Sequence, residues 1–100
     1  MQVLKEGVIF KLLDYGSEET GQVVAFTEKG PNGRFISGTT NEEVINMMVE
    51  RMIVLNKRQP ANDNLIIIHY LKSVRQLLAQ RVSRKIENKE KREQDNNASR

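Results

Sequence analysis

The feature that most constrains this chain is Pro60, set between two long stretches whose apolar residues recur with helical spacing. Proline lacks an N–H and its ring clashes with the preceding turn, so one unbroken helix cannot run through it. Its neighbours, Lys57-Arg58-Gln59 before and Ala61-Asn62-Asp63-Asn64 after, are largely polar and suit a short connection. Asn62 or Asp63 is the expected cap of the second helix. The pattern predicts a two-helix antiparallel hairpin over residues 40–86.

The first helix has an explicit start. Thr40-Asn41-Glu42-Glu43 fits a capping box, in which the Thr40 hydroxyl accepts from the Glu43 amide and the Glu43 carboxylate reaches back. Val44, Met48, Met52 and Leu55, with Ile45 beside them, then form an apolar stripe that extends to about Lys57. The second helix offers Ile67, Leu71, Val74, Leu78, Val82 and Ile86, and the two stripes are expected to pack together. Leu65, Ile66, Ile68, Tyr70 and Leu77 lie on other faces, which leaves apolar surface for a sheet or a second subunit to cover.

Residues 1–39 read as extended structure. The runs Val8-Ile9-Phe10-Lys11-Leu12-Leu13 and Val23-Val24-Ala25-Phe26-Thr27 are β-branched and aromatic, and a polar loop with Gly16 and Gly21 joins them. Lys29-Gly30-Pro31-Asn32-Gly33 makes a further turn before Arg34-Phe35-Ile36. The expected class is α+β: a short N-terminal antiparallel β-meander, then the hairpin, assembling as an oligomer because two or three strands cannot bury a core alone. From Glu87 to Asn97 the sequence has no apolar residue, so residues 87–100 are expected to fray into a charged, partly disordered tail.

Composition excludes several functions. The chain has 100 residues and no Cys, which removes disulfides, thiolate nucleophiles and Cys-based zinc sites. His69 is the sole imidazole, so a Cys–His or two-His site cannot be built. The carboxylate pairs Glu18-Glu19 and Glu42-Glu43 read as loop solvation and helix capping, and no glycine-rich loop precedes Lys-Ser/Thr. No catalytic residue, metal or cofactor is expected. The longest apolar run, Leu65-Ile66-Ile67-Ile68, falls far short of the roughly 20 residues that span a bilayer, and residues 1–7 lack the pattern of an export signal. A cytoplasmic location is expected, and the sequon Asn97-Ala98-Ser99 reads as a chance match.

What remains is basic chemistry. Residues 1–80 carry nine basic and nine acidic groups, whereas 81–100 carry seven and four, so the net charge of +3 resides at the C-terminal end. Arg81, Arg84 and Lys85, with Arg75 earlier on the helix, recur at helical spacing, and Arg58 sits near the hairpin turn. Guanidinium groups suit phosphate oxygens bidentately and stack on bases. A nucleic-acid backbone is one partner for such a series.

Across the hairpin, Thr40-Asn41-Glu42-Glu43, Arg51, Leu55-Asn56, Pro60, Asn64, Leu71, Leu78 and Arg81 follow in order without gaps. Over about residues 38–86 this pattern resembles the helical-hairpin family of phage-encoded cyclic-nucleotide sponges. Ala61, Leu77 and the Lys/Glu tail stand where family members often carry Cys, an aromatic and a glycine-rich end. The resemblance implies an anti-defence protein that binds cyclic di- or trinucleotides or cyclic ADP-ribose isomers, the signals of CBASS and Thoeris immunity, without cleaving them. It also implies a homo-oligomer, commonly a hexamer, with ligands held between subunits. Arg81 and Asn64 carry over as ligand-binding positions, and Asn56 matches as well. Arg84, Lys85 and Arg58 join them on charge, with Tyr70 or Phe35 as the aromatic for base stacking. The alternative is a small nucleic-acid-binding phage accessory protein.

Overall fold

The computed structural model describes residues 1–98; Ser99 of the sequon lies outside the described residues. The class is the expected one, a β-meander followed by two helices. The chain divides into two units, Met1–Glu43 and a second that begins at Val44.

In the first unit β1 (Gln2–Lys5), β2 (Ile9–Leu13) and β3 (Gly21–Ala25) pair antiparallel in sequence order. β2 and β3 are the two strands that β-branched content predicts, whereas β1 has no such forecast. It is a short, exposed edge strand, with a register shift between Val3 and Lys5, and its propensity signal is correspondingly weak. Gly7, at a φ of 71°, makes the β1–β2 turn, a backbone conformation that L side chains rarely adopt. A second hairpin, β4 (Glu28–Lys29) with β5 (Phe35–Ile36), closes over the predicted Gly30–Gly33 turn. Phe10 and Phe26 meet edge to face, ring centroids 6.0 Å apart.

The strand-to-helix junction is bound back onto the sheet. The Thr27 amide donates to the Thr39 carbonyl and the Thr39 amide to the Ala25 carbonyl, both at 2.8 Å. This brings the backbone of Phe26 and Thr27 against Gly38 so closely that a Cβ there would lie 2.5 Å from Phe26 C and Thr27 N. Thr40 then caps the helix as expected, with the Glu43 amide donating to Oγ1 at 3.2 Å. The return bond from the Glu43 carboxylate is not formed among the described residues, so the box is half made.

α1 (Asn41–Arg58) and α2 (Asn62–Ala98) form the hairpin of the second unit. Val49, 1% exposed, is the one fully buried side chain among the described residues. Around it the covered positions of α1 include Ile45, Asn46, Met52, Ile53 and Asn56, and those of α2 include Asn64, Ile68, Leu71, Arg75 and Leu78. The expected α1 stripe holds at Val44, Ile45, Met52 and Leu55 and fails only at Met48, whereas the α2 stripe is displaced, with Leu71 and Leu78 alone of its members covered. Met48 on α1 and Ile67, Val74, Val82 and Ile86 on α2 are exposed, and Ile68 faces inward. Steps of four from Leu78 through Val82 to Ile86 advance about 400° each and drift around the helix, whereas alternating steps of four and three hold one face; Ile67 and Val74 keep the alternation but lie to one side of the line through Ile68 and Arg75. Ile45-Val49-Met52-Asn56 and Asn64-Ile68-Leu71-Arg75-Leu78 both follow the alternating rule.

A second difference concerns length. α2 continues through 87–98, where fraying was expected. Its side chains are exposed from Glu87 to Asp95, as a solvated segment requires, and opposite charges recur four residues apart at Glu87 with Lys91 and at Lys89 with Glu93. Such spacing supports a helix that has no apolar face.

Candidate functional site

The turn between the helices shows what the Asn–Pro–Asn spacing does. Helix ends leave backbone donors and acceptors unpartnered. The α1 end closes with the Gln59 amide on the Leu55 carbonyl at 3.0 Å. Asn56 Oδ1 reaches over that end and accepts from the Ala61 amide at 3.1 Å, satisfying a donor at the start of α2. Asn64 Nδ2 reaches back the other way and donates to the Gln59 carbonyl at 3.3 Å, satisfying an acceptor at the end of α1. Each helix thus supplies the cap of the other. The expected capping by Asn62 or Asp63 gives way to this exchange: Asn62 is already helical, and the Asn64 and Leu65 amides donate to the Ala61 carbonyl at 3.1 and 3.4 Å.

Of the predicted ligand contacts, Asn56, Arg58 and Asn64 therefore gather at the turn, the two asparagines half-covered and engaged, Arg58 exposed. Arg81, Arg84 and Lys85 lie together one turn apart on α2, all exposed and without a hydrogen bond or ion pair among the described residues. Seventeen residues of unbroken helix separate Asn64 from Arg81, about 25 Å at 1.5 Å per residue. Within one chain these two groups are distinct places. Tyr70 lies between them in sequence, exposed, its ring against His69 at a centroid distance of 5.6 Å. Phe35 is exposed on β5 in the first unit.

Arg75 leaves the basic series. Its Nη1 donates to Asn46 Oδ1 of α1 at 3.4 Å in a partly covered position, so its charge is spent on the hairpin seam. This cross-helix pair is a feature that charge and apolar spacing alone did not reveal. Its signal is the alternating four-three register, which places Asn46 beside Val49 and Arg75 between Leu71 and Leu78.

Among the described residues no group of His, Asp or Glu is arranged to hold a metal ion, and no helix is long and apolar enough to cross a membrane. No family model matches the chain, and neither a curated protein nor a solved structure matches it.

Proposed function

We propose that this protein binds and sequesters cyclic nucleotide immune signals, cyclic di- or trinucleotides or cyclic ADP-ribose isomers, without cleaving them, in the cytoplasm of an infected bacterium. The observation that carries the reading is the set of three exposed, unpartnered cations, Arg81, Arg84 and Lys85, on one stretch of α2. They offer two planar forks and an ammonium for phosphate oxygens, and the guanidinium planes stack on bases. The hairpin that presents them carries the residues of the sponge-family resemblance. Asn64 and Arg81 are the principal ligand positions, with Asn56, Arg58, Arg84, Lys85 and Tyr70 completing the set.

Oligomerisation is part of the proposal. A chain of 100 residues that buries one side chain and leaves nineteen large apolar residues exposed, among the described residues, has its hydrophobic gain still to make, and a second copy is one means of making it.

The test is a thermal-shift panel with cyclic dinucleotides, cyclic trinucleotides and cyclic ADP-ribose isomers, with recovery of the bound compound. A ligand at a thousand times its Kd adds about 4 kcal/mol, a shift of many degrees for a small domain. The expected result is sub-micromolar binding, roughly −8 kcal/mol or better, with the ligand recovered intact and binding lost in Arg81→Ala. Affinities weaker than about 10 μM for every compound overturn the reading. Seven basic against four acidic groups in residues 81–100 favour a nucleic-acid backbone as the rival. Affinity for nucleic acid that falls steeply with salt, beside a flat panel, would establish that rival.

A further inference from the structure

α2 carries two seams. The first faces α1. The second runs Asp63, Ile67, Tyr70, Val74, Leu77, Arg81, again in alternating steps of four and three, and so holds one face of the helix for about 27 Å. Its apolar members are uncovered: Tyr70 is 65% exposed, Leu77 62%, Ile67 43% and Val74 40%. Neither Asp63 nor Arg81 has a hydrogen bond or ion pair among the described residues.

The steps of this second seam read the same in both directions about position 72. Laid antiparallel on a copy of itself, the seam sets Ile67 opposite Leu77, Tyr70 opposite Val74, and Asp63 opposite Arg81, each twice over. That is the self-complementarity a two-fold interface demands, since every contact must occur in both senses. The acidic end of one helix meets the basic end of the other, whereas a parallel arrangement would oppose like charges at both ends. Lys72, the charge nearest the axis, falls on the far side of the helix, nearly half a turn from the seam. With Ile66 alongside, the two copies contribute on the order of 1,000 Å² of surface, the size at which specific interfaces begin.

We propose that a second copy of this chain docks antiparallel on the Asp63–Arg81 face of α2, with reciprocal Asp63–Arg81 pairs closing both ends. The pairing also sets Arg81, Arg84 and Lys85 of one chain beside the hairpin turn of the other, which carries Arg58 and Asn64. The two groups that one chain holds about 25 Å apart then border a single site, formed twice per dimer. This last step rests on the sequestration reading; the pairing itself does not.

The test is association of the full chain, measured without nucleotide by sedimentation velocity and light scattering, with circular dichroism to confirm that each variant is folded. Wild type is expected to be at least dimeric at micromolar concentration. Leu77→Glu, at a position already exposed in the protomer, is expected to lose association with its helical signal intact. Asp63→Arg and Arg81→Asp are each expected to weaken association tenfold or more, and the double variant to return within about threefold of wild type, because the exchanged charges face each other again. A monomeric wild type, an unaffected Leu77→Glu oligomer, or a double variant weaker than both single ones overturns the pairing. Restored pairing together with a flat nucleotide panel would instead remove the sequestration reading and leave the interface standing.

Discussion

Replacing Asn56 by Ala removes the acceptor that holds the Ala61 amide at 3.1 Å and leaves a donor at the start of α2 without its partner. A single hydrogen bond contributes about 0.5–1.5 kcal/mol net, and because this one is exposed, water can take the freed amide, so the loss stays within that range. For a chain of this size that is a fall in Tm of roughly 2–12 °C. Asn64→Ala breaks the longer 3.3 Å bond to the Gln59 carbonyl, which has a second lone pair to offer water, and is expected to cost about 0.5–1 kcal/mol. The two bonds brace one connection. Once either is broken the turn loosens and the other holds less, so the double variant is expected to lose less than the sum of the two, a coupling of about 0.5 kcal/mol. Urea unfolding followed by circular dichroism, at one fixed protein concentration, measures all four chains. If Asn56→Ala unfolds at the wild-type midpoint, the cross-capping account of the turn is wrong. If stability is unchanged but nucleotide binding is lost, Asn56 acts as a ligand contact and not as a brace.

Two other substitutions test the architecture. Gly38→Ala places a Cβ 2.5 Å from Phe26 C and Thr27 N, a clash with backbone that no rotamer relieves, and is expected to cost at least about 2 kcal/mol and to disturb the bonds from the Thr27 amide to the Thr39 carbonyl and from the Thr39 amide to the Ala25 carbonyl, read by loss of amide protection at Thr27 and Thr39. Arg75→Ala removes the donor to Asn46 and is expected to cost about 1–2 kcal/mol, whereas Arg75→Lys, with one point charge in place of a fork, recovers only part of this in the same unfolding measurement.

The fold was legible where local chemistry is strong. Pro60 marked the hairpin, Thr40 the start of α1, and the β-branched runs at 8–13 and 23–27 the strands β2 and β3. Less was legible where the outcome depends on a partner. Met1 to Gly7 carry no strong strand pattern, and Gln2–Lys5 become β1 because β2 offers a free edge. The buried face of α2 was misjudged because Leu65-Ile66-Ile67-Ile68 is apolar at four successive positions, so hydrophobicity alone cannot say which one points at α1. The polar seam members settle it, since Asn46 and Arg75 find each other only if Val49, Leu71 and Leu78 face inward with them. Of the candidate site, residue types and exposure at 81, 84 and 85 followed from the sequence. The turn-bracing work of Asn56 and Asn64 did not, because a side chain that caps a neighbouring helix carries no mark in its own helix that separates it from a ligand contact.

The turn bonds also bear on the proposed site. Asn64 spends one donor on Gln59, yet its amide oxygen makes no hydrogen bond among the described residues and keeps its lone pairs, so bracing the turn leaves an acceptor to present. A side chain fixed at one end by such a bond has little rotamer freedom left to lose on binding. Arg81 is in the opposite condition, exposed and unheld, and ordering its long side chain against a ligand would cost roughly 1–2 kcal/mol. An acidic group from a second chain, Asp63 at the mirrored position, would order it beforehand while leaving part of its five-donor fork for phosphate. The charge that specifies the antiparallel register is then also what pre-organises the cation. Under the proposed reading, sequestration at low ligand concentration would ask for the assembled form, and the same Arg81 would link assembly to binding.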